Sequence, residues 1–121
     1  MGYRSKVIFG VKEKHKKEFN KLIVKLGESE MNYDYWNRKV KSVKPRYSDD
    51  RYLVWEYDDL KWYDDYEEVK LVMDSVYEWF DRGYGGFSIA LGEDGVRHSE
   101  TGDWWDVVAE EHDISVDIEK I

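Results

Sequence analysis

The spacing of the apolar residues changes in a regular order along this chain, and that order constrains the fold more than any other feature. Val7, Phe9 and Val11 recur at every second position, as in a strand with one buried face. The next segment has helical spacing, with one apolar stripe formed by Phe19, Leu22, Ile23 and Leu26. The pattern therefore predicts a strand over 3–12 and a helix over 13–26, followed by Gly27.

The same two spacings alternate through the rest of the chain. They predict strands over 35–43 and 51–57, a helix over 64–82 and strands over 87–91 and 96–101. Residues 104–111 fit either a short helix or an irregular aromatic plug, and residues 114–119 alternate as a strand. Asp64 and Glu67 have the spacing of a capping box at the start of the second helix.

This order predicts an α+β protein of the ferredoxin-like βαββαβ type, an antiparallel sheet with two helices on one face and a C-terminal strand extension. An α+β meander with another strand order is the alternative. We expect one domain over 1–121, with a core over 3–92 and the extension over 93–121. The helical stripes predict a common set of buried residues: Phe19, Leu22, Ile23, Leu26, Val69, Met73, Val76 and Phe80.

The amino-acid composition excludes several classes of protein. Aromatic residues make up 17% of the chain, too many for a disordered acidic protein, and there is no Cys for disulfide, thiolate or zinc–sulfur chemistry. Apolar runs such as 22–24 are far shorter than a membrane span, so we expect a cytoplasmic protein with no membrane partner.

Charge is unevenly distributed along the chain. The formal net charge is −8, yet residues 1–48 hold 13 Lys and Arg against 5 Asp and Glu. If the two halves separate in space, the molecule is dipolar; if the elements interleave, the charges mainly provide solubility.

No pattern predicts catalysis, a metal site or a cofactor. His98 lies near Ser99, Glu100 and Asp103, but the chain has no Gly-x-Ser-x-Gly nucleophile turn, and polar hairpins often contain these residues. The run at 110–113 lacks the histidine or EF-hand spacing of a metal site. We therefore predict a protein that is not an enzyme and that binds neither a metal nor a cofactor.

Acidic residues next to large aromatic rings are the best candidates for a binding surface. Residues 58–68 hold six acids and one Lys around a Trp-Tyr pair, and a second pair lies at 104–105. Apolar anchors with a charged rim are typical of protein interfaces. The predicted protein-binding residues are Asp58, Asp59, Trp62, Tyr63, Asp64, Asp65, Trp104 and Trp105.

The chain also resembles a family. It opens with Met-Gly-Tyr-Arg-Ser at 1–5 and carries Leu-Lys-Trp-Tyr-Asp at 60–64, followed by an acidic helix start with Glu68 and Val69. Both stretches are similar to small uncharacterised accessory proteins of bacteriophages and prophages. The resemblance implies a non-catalytic counter-defence or host-takeover protein in the cytoplasm of an infected bacterial host, which binds a bacterial host or defence protein and inhibits or modulates it. The acidic residues at 58–68 would suit a target with a basic, nucleic-acid-binding surface.

Two other functions fit the residues. A small-ligand or nucleotide-binding sponge would stack a base on an aromatic ring and contact phosphate with cations, and a homo-oligomer would help to form its pocket. Its candidate residues are Arg4, Trp36, Arg38, Lys39 and Lys41. A single-stranded nucleic-acid-binding module would use an open sheet face, although the negative net charge weighs against it.

Overall fold

A computed structural model describes residues 3–27, 40–46, 48–110 and 114–116. Short 3₁₀ turns at Glu13–His15 and Trp104–Asp106 precede the first helix and the sixth strand. The helices and strands, in chain order, are β1 (Ser5–Lys12), α1 (Lys16–Gly27), β2 (Val40–Val43), β3 (Tyr52–Leu60), α2 (Glu67–Asp81), β4 (Phe87–Gly92), β5 (Arg97–Thr101), β6 (Val108–Glu110) and β7 (Ile114–Val116).

The main sheet has five strands in the order β2-β3-β1-β4-β5, and every neighbouring pair is antiparallel. Strands β6 and β7 pair with each other in a separate small sheet. The predicted α+β class, antiparallel sheet and pair of helices are confirmed for the described residues. The predicted strand over 35–43 is described only from Val40, because 28–39 lie outside the described residues.

Strand β1 is the centre of the sheet, since it pairs with both β3 and β4. Its residues from Val7 to Val11 are all buried. At Gly10 the backbone of β3 approaches closely, and an added Cβ would lie 2.3 Å from the carbonyl oxygen of Leu53. Any larger residue at this position would therefore push the two central strands apart.

The helices cover one face of the sheet and form a helix-side core with it. Alternate residues of β1 point into this core, where Phe9 stacks on Trp55 at 5.2 Å and on Phe19 of α1 at 6.0 Å. Phe19 in turn stacks on Trp79 of α2 at 5.9 Å. A continuous row of aromatic rings thus joins the sheet to both helices, as offset aromatic pairs do in many cores.

The opposite face of the sheet is covered by the C-terminal segment. Ile8 and Val54 pack there against Trp104, Val107 and Val108. The segment at 104–110, whose form the sequence left open, is a 3₁₀ turn followed by strand β6. The C-terminal segment therefore buries the part of this face around Ile8, Val54 and Ile89, whereas Glu56 of β3 forms ion pairs there with Lys6 and Lys41.

The predicted burial is right for α1 and partly wrong for α2. Phe80 is 46% exposed and Met73 is half-buried, whereas Val72 and Trp79 are buried. Because Trp79 stacks on Phe19, the buried stripe of α2 turns toward α1, and Phe80 falls on the flank that faces away. Spacing alone does not set this rotation.

The predicted capping box is also wrong. Helix α2 starts at Glu67, the preceding residue is Tyr66, and no side chain caps the first turn. The backbone N–H of Tyr66 donates instead to the carbonyl oxygen of Tyr63 at 3.0 Å. A backbone turn at 63–66 therefore leads into α2, and the N–H groups of its first turn have no side-chain cap.

Among the described residues, no helix combines the length and the apolar character that a membrane span requires.

Replacing Leu22 by Ala should lower the free energy of unfolding by about 2–5 kcal/mol, because the side chain is buried in the helix-side core. Val24, exposed on the same helix, provides the matched control, and Val24→Ala should change stability by less than about 0.5 kcal/mol. Urea unfolding followed by tryptophan fluorescence measures both. Equal effects of the two substitutions would contradict the position of α1.

Candidate functional site

Among the described residues, exposed acids cluster at the end of β3, in the connection from β3 to α2 and in the first turn of α2. Asp58, Asp64, Asp65 and Glu67 are exposed there, and Tyr63 is half-buried. We call these five residues the acidic end. Asp59 is described only as part of strand β3, and Glu68 is buried, so neither adds a described side chain to this surface.

Trp62 lies beneath the acidic end rather than on it. Its side chain is only 6% exposed and packs in the helix-side core, so the expectation of an exposed Trp62 is wrong. Leu60, two residues earlier, is buried in the same core. These two side chains fix the connection to the sheet, and Tyr63 is left as the ring that reaches solvent, in edge-on contact with Tyr66 at 5.2 Å.

The second Trp pair is divided between core and surface. Trp104 is 8% exposed in the opposite core, its indole N–H donates to Glu100 at 3.2 Å, and the Arg97 guanidinium lies 5.3 Å from its ring centre. Trp105 is 60% exposed. Because Trp62 and Trp104 belong to cores on opposite faces of the sheet, the structure does not join the two predicted aromatic pairs into one surface.

The predicted cationic set for a nucleotide is only partly described. Trp36, Arg38 and Lys39 lie outside the described residues. Lys41 is in β2 and forms an ion pair with Glu56 at 3.4 Å. Arg4 precedes β1 near its first residue, whereas Lys41 pairs with Val54 beside Gly10, toward the other end of β1, so the register keeps these two cations apart.

A serine–histidine contact joins the first residue of β1 to strand β5. The Ser5 hydroxyl and Nε2 of His98 are 2.6 Å apart, although the residues are separated by 93 positions in sequence. Sequence reasoning considered His98 only with its neighbours in the hairpin and missed Ser5. No local signal reveals this pair, because it depends on the order of β1, β4 and β5 in the sheet.

Tyr3 and Asp94 extend this contact. The Tyr3 hydroxyl donates to Oδ1 of Asp94 at 2.5 Å, and the Tyr3 ring is edge-on to His98 at 5.6 Å. The ring lies over Gly92, where an added Cβ would collide with it. The hydrogen bond from Tyr3 lowers the pKa of Asp94, and the same bond raises the pKa of Tyr3 to about 12.

A serine beside a histidine is the pairing used in nucleophilic catalysis, but the position of Ser5 is unsuited to it. The residue is 2% exposed within β1, whereas an acyl-transfer nucleophile has to reach its substrate and a group that stabilises the oxyanion. We therefore interpret the pair as a tie between β1 and β5. Among the described residues, no group of three or more Asp, Glu or His is placed to hold a metal ion.

Comparison with known proteins adds no assignment: no family model, curated protein or solved structure matches the chain.

The bond between Tyr3 and Asp94 predicts a pH dependence of stability. The Tyr3 pKa is raised from 10.0 to about 12, so its contribution is complete below pH 10 and is lost as the pH rises toward 12. The Asp94 pKa is lowered from 3.8, so its contribution is lost as the pH falls below that value.

Tyr3→Phe removes the hydroxyl and keeps the ring over Gly92. We expect the wild type to be more stable than this variant at pH 7, with the difference shrinking between pH 10 and 12. Urea unfolding of both proteins at pH 7, 9 and 11.5 measures it. A difference that is constant over this range would show that Tyr3 and Asp94 are not hydrogen-bonded in solution.

Proposed function

We propose that the protein is a non-catalytic accessory protein of the bacteriophage type, which binds a bacterial host or defence protein and inhibits or modulates it. The acidic end is the contact surface in this proposal, and the partner is a protein with a basic, nucleic-acid-binding surface. The resemblance of residues 1–5 and 60–64 to phage accessory proteins supports the biological setting.

The observation that carries the proposal is the exposure of several acids around a connection that is anchored in the core. Leu60 and Trp62 anchor the connection in the core from one side, and the backbone bond from Tyr66 to Tyr63 closes its turn. A surface that is already ordered loses little conformational freedom on binding, which favours affinity. Half-buried Tyr63 adds an aromatic contact of the kind enriched at interfaces.

Stabilisation of α2 explains the position of only one acid of the acidic end. Glu67 lies in the first turn of α2, where the helix dipole stabilises an acid. Asp64 and Asp65 lie before the helix, and no side chain caps its first turn. Like charges at this spacing repel one another, whereas a basic partner surface would be attracted to them and its association accelerated.

We also infer that residues 3–92 form a ferredoxin-like βαββαβ unit. The strand order β2-β3-β1-β4, the antiparallel pairing and the helices that follow β1 and β3 support this assignment. β5 then extends the sheet beyond β4.

The burial of the opposite sheet face weighs against the nucleic-acid alternative. A ferredoxin-like domain that binds single-stranded RNA stacks bases on exposed aromatic residues of this face. Here Val54, Phe87 and Ile89 of that face pack against Trp104 and Val107 instead. Bases would have to displace the C-terminal segment before they could stack there.

The acidic end predicts a change in association rate on charge reversal. The partner is first isolated from bacterial lysate on immobilised protein and identified by mass spectrometry. We then expect Asp64→Lys/Asp65→Lys to slow association by about tenfold or more at low salt and to invert its salt dependence, because a basic surface would now be repelled.

Asp74→Lys provides the control, because Asp74 is an exposed acid in the middle of α2, away from the acidic end. It should reduce the association rate far less than the paired change, and thermal unfolding should show all variants folded. Stopped-flow or surface-plasmon measurements give the rates. An unchanged rate for the paired variant at low salt would place the binding surface elsewhere on the molecule.

A further inference from the structure

A cationic pocket lies at the other end of the sheet, where β1 ends and the chain turns into α1. It is a shallow pocket of about 360 Å³ that is open to solvent. We use the name cationic pocket for the space lined by Lys12, Glu13, Lys14, Lys16, Asp50 and Arg51. Four of these six residues are cationic, in a chain whose net charge is −8.

The two carboxylates of the cationic pocket hold two of its cations in place. Nζ of Lys12 lies 3.2 Å from Asp50, and Nε of Arg51 lies 3.4 Å from Glu13. The Ser42 hydroxyl donates to the same Glu13 carboxylate and accepts from Nε of Arg51 at 3.3 Å. These contacts fix the direction of the cationic groups before any ligand arrives, which reduces the cost of binding.

The walls of the cationic pocket are also tied through the backbone. The N–H of Glu13 donates to the carbonyl oxygen of Arg51 at 2.8 Å, which joins the end of β1 to the chain just before β3. The Lys12 side chain runs over Gly85, where an added Cβ would lie 2.7 Å from it. The pocket is therefore built where β1 runs into the 3₁₀ turn at Glu13–His15, beside the segment that precedes β3.

Lys14 and Lys16 supply the remaining positive charge. Both are exposed, and neither forms an ion pair or side-chain hydrogen bond with the rest of the described chain. Helix α1 begins at Lys16, so the positive end of its dipole lies on the same side. Two cations that are paired with carboxylates and two exposed lysines thus line one pocket.

We propose that the cationic pocket binds the di- or triphosphate group of a small molecule. A polyphosphate chain carries several negative charges over a length that neighbouring Lys and Arg groups can contact together, and Arg and Lys are the usual phosphate ligands in proteins. Glu13 and Asp50 do not neutralise the positive charge of the pocket. Each is paired with one cation, and four cations face two carboxylates. The cationic pocket is separate from the acidic end, so a test of one does not depend on the result for the other.

The first test is a titration of ¹⁵N-labelled protein with inorganic pyrophosphate at low salt. We expect saturable amide shifts at residues 12–16 and 50–51, and no matching response to sodium sulfate at equal ionic strength. The absence of saturable shifts at these residues with both pyrophosphate and ATP would overturn the proposal.

The second test compares variants by calorimetry. Lys14→Gln/Lys16→Gln should weaken pyrophosphate binding by about tenfold or more, since it removes two charge-assisted contacts. Lys21→Gln/Lys25→Gln removes the same charge from the exposed face of α1 further along the helix and should leave the affinity within about twofold. Equal losses in both pairs would mean that pyrophosphate responds only to overall charge, which overturns the site.

ATP distinguishes the two sources of the phosphate group. Binding tighter than that of pyrophosphate, with loss in the Lys14→Gln/Lys16→Gln variant, would support the site and assign it to a nucleotide. An ATP affinity equal to that of pyrophosphate, with the same loss in the variant, would support the site and assign recognition to the phosphates alone. ATP binding that is unaffected in this variant would contradict the cationic pocket as the site.

Discussion

The burial of β1 on both faces is the constraint on which the rest of the structure depends. A strand between two antiparallel neighbours satisfies its backbone hydrogen bonds on both sides, and its side chains alternate between the two cores. Val7, Phe9 and Val11 require the helices above the sheet, and Ile8 requires the C-terminal segment below it. Gly10 then permits the close approach of β3 to β1 within the sheet.

This arrangement places the charged surfaces at the two ends of the sheet. β1 has eight residues, so the acidic end and the cationic pocket are separated by about 25 Å, the length of an extended strand of that size. The charges of the two sequence halves are partly interleaved, since Lys6 in β1 lies beside Glu56 and Asp50 lies in the cationic pocket.

The candidate sites show how far sequence reasoning reaches. The exposure of Asp64 and Asp65 was expected, because acids in a connection before a helix are rarely buried. The burial of Trp62 and Trp104 was not, because a Trp packs or protrudes according to which surface lies opposite it. The Ser5–His98 contact and the pairing of Lys12 with Asp50 join distant segments, so no local pattern contains them.

The sequence by itself determined the order of strands and helices and most of the helix-side core, because the period of the apolar residues follows from the geometry of a strand or a helix. The strand order, the rotation of α2 about its axis and the closure of the second sheet face were decided only by tertiary structure. Trp79 and Phe80 are neighbouring apolar residues, and the sequence does not show which of them is buried. The stacking of Phe19 on Trp79 decides it. Pairings between distant segments depend on the sum of such contacts, which adjacent residues do not encode.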